Sequence, residues 1–460
     1  MIIKIQKKTF PTFLSPLFLI FSASVSIILF LPGPAIAQMN MNGMYQNYHA
    51  VQSTADNEFI AARNRLRMQI NRAFDSGRFH TELDLIHRYG NESQLELQLR
   101  EVYFDWFFDN YDLRLGKQNI IWGRADGGFL TDILSPVDLR EFLTQEPEDL
   151  RFGITALNLT RYFGANSLQF ILAPVFQPDL IPPSDSRWFP IEPFAAPFPV
   201  KYRKHDEIPS AADVQLAIRY GLRSPSRFDL DLMLLHWSHP LPAYALTINF
   251  FNFPNPPGIE LTESYQRSLM AGFSASADLH PRLTLNAEAL FVKDKLFTFL
   301  PVSISLLEDA LNNAGAFIEL LQEFEIRDDG YLKTRPWLNA MAGIQTEWLG
   351  TSIRVQGYLE TVFNYDDSIL SQKYFPYLSF LAVRSFLRDR LQILTVNRYH
   401  IYAEDFWVQF QGSYELSDGL ELALGTNLFG GEPASPFYGH FSFNRFKENS
   451  FLFSRIAFYF

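Results

Sequence analysis

The chain of 460 residues is 47% hydrophobic and contains 45 phenylalanines, yet its mean hydropathy is close to neutral, which argues against a bundle of membrane-spanning helices. It contains no cysteine, so disulfides, thiolate metal sites and cysteine nucleophiles are excluded. The net charge of −11 argues against nucleic acid as a partner, because phosphates need a basic surface.

The first 37 residues have the organisation of a secretory signal peptide. Three lysines precede an apolar run over about residues 10–31, and Ala35-Ile36-Ala37 follows as a small-x-small cleavage pattern. A retained anchor helix is the alternative, which two prolines in the run disfavour. No later stretch has the roughly 18 apolar residues that a spanning helix needs. The sequence therefore predicts export, cleavage near Ala37, and a single domain over residues 38–460.

The rest of the chain divides into short segments in which apolar and polar side chains alternate. This period of two predicts strands with one apolar and one polar face, as in a transmembrane antiparallel β-barrel. The segments number about eighteen, with 16 as the alternative, and short turns alternate with long loops between them. They span about 42–51, 63–73, 78–89, 94–107, 111–122, 151–163, 166–175, 211–221, 226–237, 266–279, 282–296, 337–349, 351–363, 376–387, 389–400, 404–415, 419–429 and 450–460.

The fourth segment changes phase in its middle. Leu95, Leu97 and Leu99 occupy odd positions, whereas Val102 and Phe104 occupy even ones. One inserted residue turns every later side chain to the other face, so the sequence predicts a β-bulge near residues 100–101.

A run of conspicuous motifs follows the fifth segment. The sequence LRLGKQ at 113–118 precedes GRADGGFLTDILSPVDLREF at 123–142, and LGTNLFGGEPASPFYG occupies 424–439. These stretches resemble a family of large Gram-negative outer-membrane barrels of unassigned function. The resemblance implies an outer-membrane barrel and an association with envelope transport, including RND-type exporters of hydrophobic molecules. It implies no catalytic residue.

The charged and glycine-rich stretch 123–142 is the third long connection if the first strand rises from the periplasm. In general porins this connection folds inward and narrows the channel, so its charges are candidates for selecting the solute. The alternative is that these side chains form salt bridges with one another and with the wall, and only hold the loop. The candidates are Arg124, Asp126, Asp132, Asp138, Arg140 and Glu141. If the loop narrows a pore, replacing Asp126 or Asp132 by asparagine should lower the preference for cations.

Charged residues at alternate strand positions are expected in the lumen, because a charge at mid-bilayer costs about 2–4 kcal/mol. Asp229 and Asp231, for example, alternate with Phe228, Leu230 and Leu232. The lumen candidates are Arg114, Asp229, Asp231, Glu288, Arg354, Glu360 and Glu421.

Two long segments interrupt the strand pattern. Residues 176–210 contain eight prolines, which predicts an extended surface flap without helix or strand. Residues 304–323 have apolar side chains at helical spacing, which predicts one short helix as a lid over the barrel or as packing at its rim.

Aromatic clusters near strand ends predict interfacial girdles. They lie at residues 103–108, 188–189, 374–377, 406–407 and 458–460. Phe458 and Phe460 also resemble the C-terminal signal by which the barrel assembly machinery of bacteria recognises outer-membrane proteins.

The sequence gives little support to catalysis. His236-Trp237-Ser238-His239 is the only dense histidine group, and neither a metal site nor a cofactor is expected. The leading hypothesis is an outer-membrane channel for small or hydrophobic solutes in a Gram-negative bacterium. The alternative is a plugged barrel that acts as the outer-membrane partner of an envelope export or assembly system, with a periplasmic or inner-membrane RND-type transporter as its candidate partner. A barrel hydrolase comes third. Expected contacts are outer-membrane lipid and the assembly machinery.

Overall fold

The computed structural model describes residues 39–53, 58–90, 93–125, 128–190, 200–204, 213–224, 228–249, 258–300, 313, 315, 329–432 and 442–460. The predicted signal peptide, Asp126 and the predicted helix over 304–323, apart from residues 313 and 315, lie outside these ranges. The strands are β1 Met39–Gln52, β2 Phe59–Phe74, β3 Gly77–Arg88, β4 Gln94–Phe107, β5 Tyr111–Gln118, β6 Ile154–Phe163, β7 Asn166–Ala173, β8 Val200–Arg203, β9 Gln215–Ser224, β10 Phe228–Ser238, β11 Ala243–Asn249, β12 Gly258–Ser264, β13 Arg267–His280, β14 Leu283–Thr298, β15 Leu332–Trp348, β16 Thr351–Val362, β17 Tyr374–Phe386, β18 Leu391–His400, β19 Asp405–Ser417, β20 Leu420–Gly431 and β21 Phe451–Tyr459.

Eighteen of these strands, all except β8, β11 and β12, form one closed antiparallel sheet. Each strand of this ring pairs with the ring strand that precedes it and the one that follows it in the chain. β21 pairs with β1 and thereby closes the ring, with Tyr45 opposite Phe458. Just beyond the last strand, the Phe460 N–H donates to the Gly43 carbonyl at 3.0 Å and the Gly43 N–H donates back at 2.8 Å. A closed sheet leaves no strand edge unpaired, which is the condition for crossing a membrane with strands. The predicted eighteen strands are therefore confirmed, and the alternative of 16 is wrong.

The two faces of the strands differ as the alternation predicts. In β10, Leu232 and Leu234 are about half exposed on the outside, whereas Asp231 and Met233 on the inside are 5% and 4% exposed. In β21, Leu452, Ile456 and Phe458 face outward and Arg455 faces inward. An apolar outer face around a partly polar interior is typical of a barrel surrounded by lipid.

The two ends of the barrel have connections of different length. Hairpins with two connecting residues join β2 to β3, β6 to β7, β13 to β14, β15 to β16 and β19 to β20 at one end. At the other end, β5 and β6 are separated by residues 119–153, and β20 and β21 by residues 432–450. The long-loop end therefore holds enough chain to fill the barrel mouth.

A second sheet of three strands lies within the long loops. β11 pairs antiparallel with β12, and β12 pairs parallel with β8. The prediction that residues 176–210 contain no strand is therefore wrong at residues 200–203. This stretch has no proline, so its backbone N–H groups are free to join the ladder.

Helical structure is sparse in the described residues. Short 3-10 helices occupy Phe142–Thr144, Pro147–Asp149 and Asn444–Asn449. No helix in these ranges is long and apolar enough to cross a membrane.

The predicted bulge lies at Arg100. Across the β3–β4 ladder, Glu82 pairs with Glu101 and Leu83 pairs with Leu99, which leaves Arg100 without a partner residue. Consecutive side chains at 100 and 101 consequently both point inward, where Arg100 contacts Glu82 and Glu101 contacts His80. The bulge thus adds one inward side chain to this part of the wall.

Candidate functional site

The connection between β5 and β6, residues 119–153, crosses the lumen, and we refer to it as the constriction loop. It leaves the wall at β5, and its Thr131 hydroxyl donates to Glu288 on β14 at 3.0 Å. Gly128 of the loop lies against Tyr377 of β17, since a Cβ atom added to Gly128 would be 3.3 Å from the Tyr377 hydroxyl. β17 is nine places from β5 in the ring of eighteen strands. The loop therefore reaches the wall opposite its origin.

One side of the constriction loop is apolar. Trp122, Leu130 and Leu134 are at most 2% exposed and belong to the same buried cluster as Ile171 and Leu235 of the wall. The indole N–H of Trp122 donates to Gln169 at 3.0 Å, so its polar atom is satisfied. Strand β5 ends at Gln118, so residues 119–122, which were predicted to extend it, enter the lumen instead. Burial of these large side chains holds the first half of the loop against the wall.

The other side of the loop is acidic and lies against a wall of arginines. The Glu141 carboxylate forms an ion pair with Arg63 of β2 at 2.6 Å and also contacts Arg88 of β3. Asp149 contacts Arg65 and forms a second ion pair with Arg67 at 2.7 Å. Near the chain end, Arg455 of β21 contacts both Glu146 and Glu421. These charge-assisted contacts attach the second half of the loop to three strands of the barrel.

Arg100 of β4 attaches the end of the constriction loop by binding backbone carbonyls of the loop. Its guanidinium donates to the carbonyls of Asp149 at 3.1 Å and Arg151 at 2.8 Å, while its Nε donates to Glu82 at 2.9 Å. The inward turn of Arg100 at the bulge makes this contact possible.

The ionisation of the loop acids follows from these contacts. Burial opposes ionisation of Glu141, but Arg63 and Arg88 hold its pKa at about 2. The arginines around Asp149 likewise hold its pKa at about 2 against burial. Asp132 is different, because burial raises its pKa to about 7 even though Arg151 lies beside it.

Arg124 and the aspartates of β10 form a less buried group of charges in the barrel. The Arg124 guanidinium lies 3.3 Å from the Asp229 carboxylate and 3.8 Å from that of Asp231. Asp231 also forms an ion pair with Arg223 at 2.8 Å. The side chains of Arg124 and Asp229 are 30% and 39% exposed, whereas that of Asp231 is 7% exposed. Arg124 and Asp229 therefore combine a position inside the barrel with access to solvent.

The remaining predicted loop residues are held in contacts of their own. Asp138 is buried and accepts two bonds from the Arg140 guanidinium at 2.9 Å. Asp132 accepts the Trp122 backbone N–H at 3.0 Å and contacts Arg151. The interpretation that loop charges hold the loop is thus supported for these residues, while Asp126 lies outside the described residues.

The predicted lumen residues all lie on the inner face. Arg114 donates to Asp105 at 2.6 Å and covers the Tyr103 ring, and Glu288 accepts bonds from Thr131 and Ser274. Arg354 and Glu360 are inward positions of β16, in register with Leu381 and Phe375 of β17.

The arginines of β2 were not singled out from the sequence, although a signal was present. Arg63, Arg65 and Arg67 alternate with Asn64 and Leu66, so they share one face of the strand. Three arginines at a period of two predict a basic lumen wall, and the structure shows that wall.

Aromatic side chains fill the mouth above β1, β20 and β21. Trp188 is buried with Phe429, Phe446 and Phe451, and its ring lies 5.6 Å from that of Phe446. Trp188 takes no part in an interfacial girdle, because its loop folds over the interior rather than toward the outer face. Phe458 and Phe460 do lie exposed on the outside, with ring centroids 6.0 Å apart.

The histidine group at the end of β10 does not assemble a nucleophile. His236 is on the exposed outer face, whereas Ser238 is buried and its backbone N–H donates to Gln215 at 2.7 Å. The His239 ring meets the edge of Trp337 at 5.6 Å. No serine–histidine hydrogen bond forms among these described side chains, so they give no support to a hydrolase.

Comparison with known protein families finds no match, and no curated protein matches the chain. Among solved structures, it is similar to Acinetobacter baumannii OccAB1, with a TM-score of 0.51 and 10% identity over 92% of this chain and 95% of that one. It is also similar to Acinetobacter baumannii OccAB3, with a TM-score of 0.49 and 8% identity over 92% and 99% of the two chains. Pseudomonas aeruginosa OccK2 (OpdF) in complex with glucuronate has a TM-score of 0.48 and 9% identity over 92% and 97%.

The resemblance based on the motifs at 113–142 and 424–439, with its link to RND-type exporters, stays a prediction. At 10% identity the similarity to OccAB1 concerns the fold alone. It establishes that the chain has the closed antiparallel barrel of eighteen strands found in outer-membrane porins.

Proposed function

We propose that this protein is an outer-membrane channel of a Gram-negative bacterium that passes small or hydrophobic solutes. The constriction loop narrows its lumen, and the charges of Arg124 and Asp229 set its selectivity. Its outer face contacts lipid, and Phe458 and Phe460 serve as the signal for the assembly machinery.

The observation that carries the proposal is the placement of partly exposed charge beside a loop that spans the lumen. Arg124 is contributed by the loop and Asp229 by the wall, 3.3 Å apart, so any solute that passes between loop and β10 meets both. A single opposite-charge pair at a narrow point acts strongly on ions, because low-dielectric walls focus the field.

A second observation favours solutes with an apolar part. The inner faces of β17 and β18 carry Leu381, Val383, Leu394 and Val396, next to the inward-facing Arg398. The inner face of β19 continues with uncharged Gln409 and Gln411. Apolar side chains beside charged ones in the lumen can contact both parts of an amphipathic molecule.

The alternative function is a plugged barrel that works as the partner of an RND-type transporter. It is favoured by the burial of Trp122, Leu130 and Leu134, which fills space between the loop and the wall. In this case the loop would remain seated and the barrel would pass no ions.

Single cysteines distinguish the two functions, because the chain contains no native thiol. In Asp229→Cys the thiol faces the lumen, and in Leu232→Cys, three residues along the same strand, it faces outward. Each variant is purified in detergent, treated with the water-soluble sulfonatoethyl methanethiosulfonate, and examined in planar bilayers together with the wild type.

A channel predicts steady single-channel steps for the wild type. It also predicts rapid labelling of Asp229→Cys with a fall in conductance of at least a quarter, and slow labelling of Leu232→Cys without effect. A plugged barrel predicts no steps for the wild type or for either variant. Conductance that is unaffected by labelling at 229 would mean that solute passes elsewhere, and would contradict the assigned role of Arg124 and Asp229.

A further inference from the structure

A small cluster on the inner wall of β3 and β4 combines one imidazole with two carboxylates. One ligand atom each from His80, Glu82 and Glu101 lies within 4.8 Å of the other two. Glu101 lies directly opposite Glu82 in the β3–β4 ladder, next to the bulge at Arg100.

The histidine is held in the tautomer that a metal ligand requires. His80 is 8% exposed, and its Nδ1 lies 2.8 Å from the Asn71 side-chain oxygen, so the Nδ1–H donates there. The lone pair on Nε2 is then directed inward, and this buried atom has no hydrogen-bond partner. An N–H to carbonyl contact on the far side of the ring is the usual support of a metal-binding histidine.

Glu101 faces the imidazole at close range. Its Oε2 lies 3.4 Å from His80 Nε2, and its Oε1 accepts the backbone N–H of Asn119. Among the described residues, the ion-pair contact of Glu101 is with His80. A carboxylate oxygen and a ring nitrogen that face each other at this distance can bind the same cation.

Glu82 has acceptor capacity left for a third ligand. One oxygen accepts Arg100 at 2.9 Å and lies 3.4 Å from Arg67, and the other accepts Gln69 at 2.6 Å. Because an ionised carboxylate offers about four lone-pair positions, these two bonds fix its orientation without saturating it.

We propose that His80, Glu82 and Glu101 bind one divalent transition-metal ion, with zinc as the best match to one imidazole and two carboxylates. Zinc accepts nitrogen and carboxylate oxygen at about 2.0–2.2 Å, and with three protein ligands it keeps a fourth position for water. Small rotations of the two glutamates suffice to bring ligand atoms that already lie within 4.8 Å into that shell.

The site connects both ends of the constriction loop to the wall. Glu101 holds the backbone of Asn119 where the loop begins, and Glu82 holds Arg100, which binds the carbonyls of Asp149 and Arg151 where the loop ends. A bound ion would therefore stiffen the base of the loop from both sides. The proposal concerns binding and does not depend on whether the barrel conducts.

Zinc binding to the full barrel, stripped of metal with a chelator and held in detergent, tests the proposal by titration calorimetry. One ion per chain should bind to the wild type, and affinity should fall at least tenfold in His80→Gln and in Glu101→Gln. His87→Gln is the matched control on the same strand and should bind like the wild type. Asn71→Ala, which removes only the support of the imidazole, should weaken binding by about tenfold.

Two further readouts keep the result interpretable. Heat-modifiable migration on a gel shows that each variant is a folded barrel, and cobalt in place of zinc should give visible absorption bands that disappear in His80→Gln. The proposal is overturned if the folded wild type binds no zinc, or if His80→Gln binds it as tightly as the wild type. Loss of binding in His87→Gln would likewise overturn it, since that histidine is not in the cluster.

Discussion

Glu141 lies between two guanidinium groups from neighbouring strands, and its removal should be costly. In Glu141→Gln the Arg63 charge, only 2% exposed, loses its carboxylate partner, so we expect a loss of about 3–5 kcal/mol in the free energy of unfolding. Glu96→Gln is the control, because Glu96 also pairs with Arg88 but is 25% exposed and should contribute under about 1 kcal/mol. Guanidinium unfolding in lipid vesicles gives both values, and equal losses would contradict the anchoring role of Glu141.

Asp132 should make the barrel less stable as pH rises. Its pKa rises from 3.8 to about 7 on folding, so the folded chain binds the proton more tightly. The free energy of unfolding should therefore fall as pH rises between these values, by on the order of 1 kcal/mol per pH unit. Burial raises the pKa of Asp179 to about 7 as well, so Asp132→Asn should remove about half of the slope.

Unfolding midpoints at pH 5 and pH 8, followed by the fluorescence of tryptophan, measure this effect. Asp389→Asn, in an exposed turn, is the control and should keep the wild-type slope. If Asp132→Asn showed the wild-type slope, Asp132 would not be the titrating group. The low pKa of Glu141 gives a limit on the acid side, because its stabilisation is lost only as pH falls toward 2.

At the scale of the strand, the bulge of β4 can be tested by deletion. Without Arg100, Leu99 and Glu101 alternate regularly, so the shortened strand keeps its apolar outer face and the barrel should still assemble. Deletion of Ala287 in β14 is the control, because it turns a charged neighbour such as Glu288 toward lipid. Heat-modifiable migration should be retained in the first variant and lost in the second. Retention in both would mean that register is not set by the alternation.

The strands of the barrel were more predictable from the sequence than the strands within the long loops. The phases of β10, β14, β16, β20 and β21 follow from alternation, because lipid on one side imposes a period of two on each strand by itself. β8, β11 and β12 carry no such signal, since they pair with one another inside the loops and face no lipid. The strand at residues 200–203 within a proline-rich stretch depends on its partner Ile259–Thr262, which the local sequence does not specify.

At the scale of the whole molecule, the ring positions the charges that the sequence contains. Arg63 and Glu141 are 78 residues apart, and Arg455 and Glu146 are 309 residues apart, yet each pair is in contact across the barrel wall and loop. The closed sheet brings β21 next to β1, which pairs with β2 on its other side, so Arg455 near the end of the chain joins the arginine wall of the first strands. The distribution of charge in the lumen is thus a property of closure rather than of any one strand.

The sequence by itself determined the barrel, the bulge near residue 100 and the inward side of the strand charges, because these depend on neighbours one or two residues away. It left the strand number open between eighteen and 16. It left open whether the charges of residues 123–142 select solute or hold the loop. Only the tertiary structure decided that Glu141 and Asp138 are paired and that Arg124 and Asp229 are partly exposed. The physical reason is that a side chain's partner and its exposure are set by the opposite wall, which belongs to distant parts of the chain.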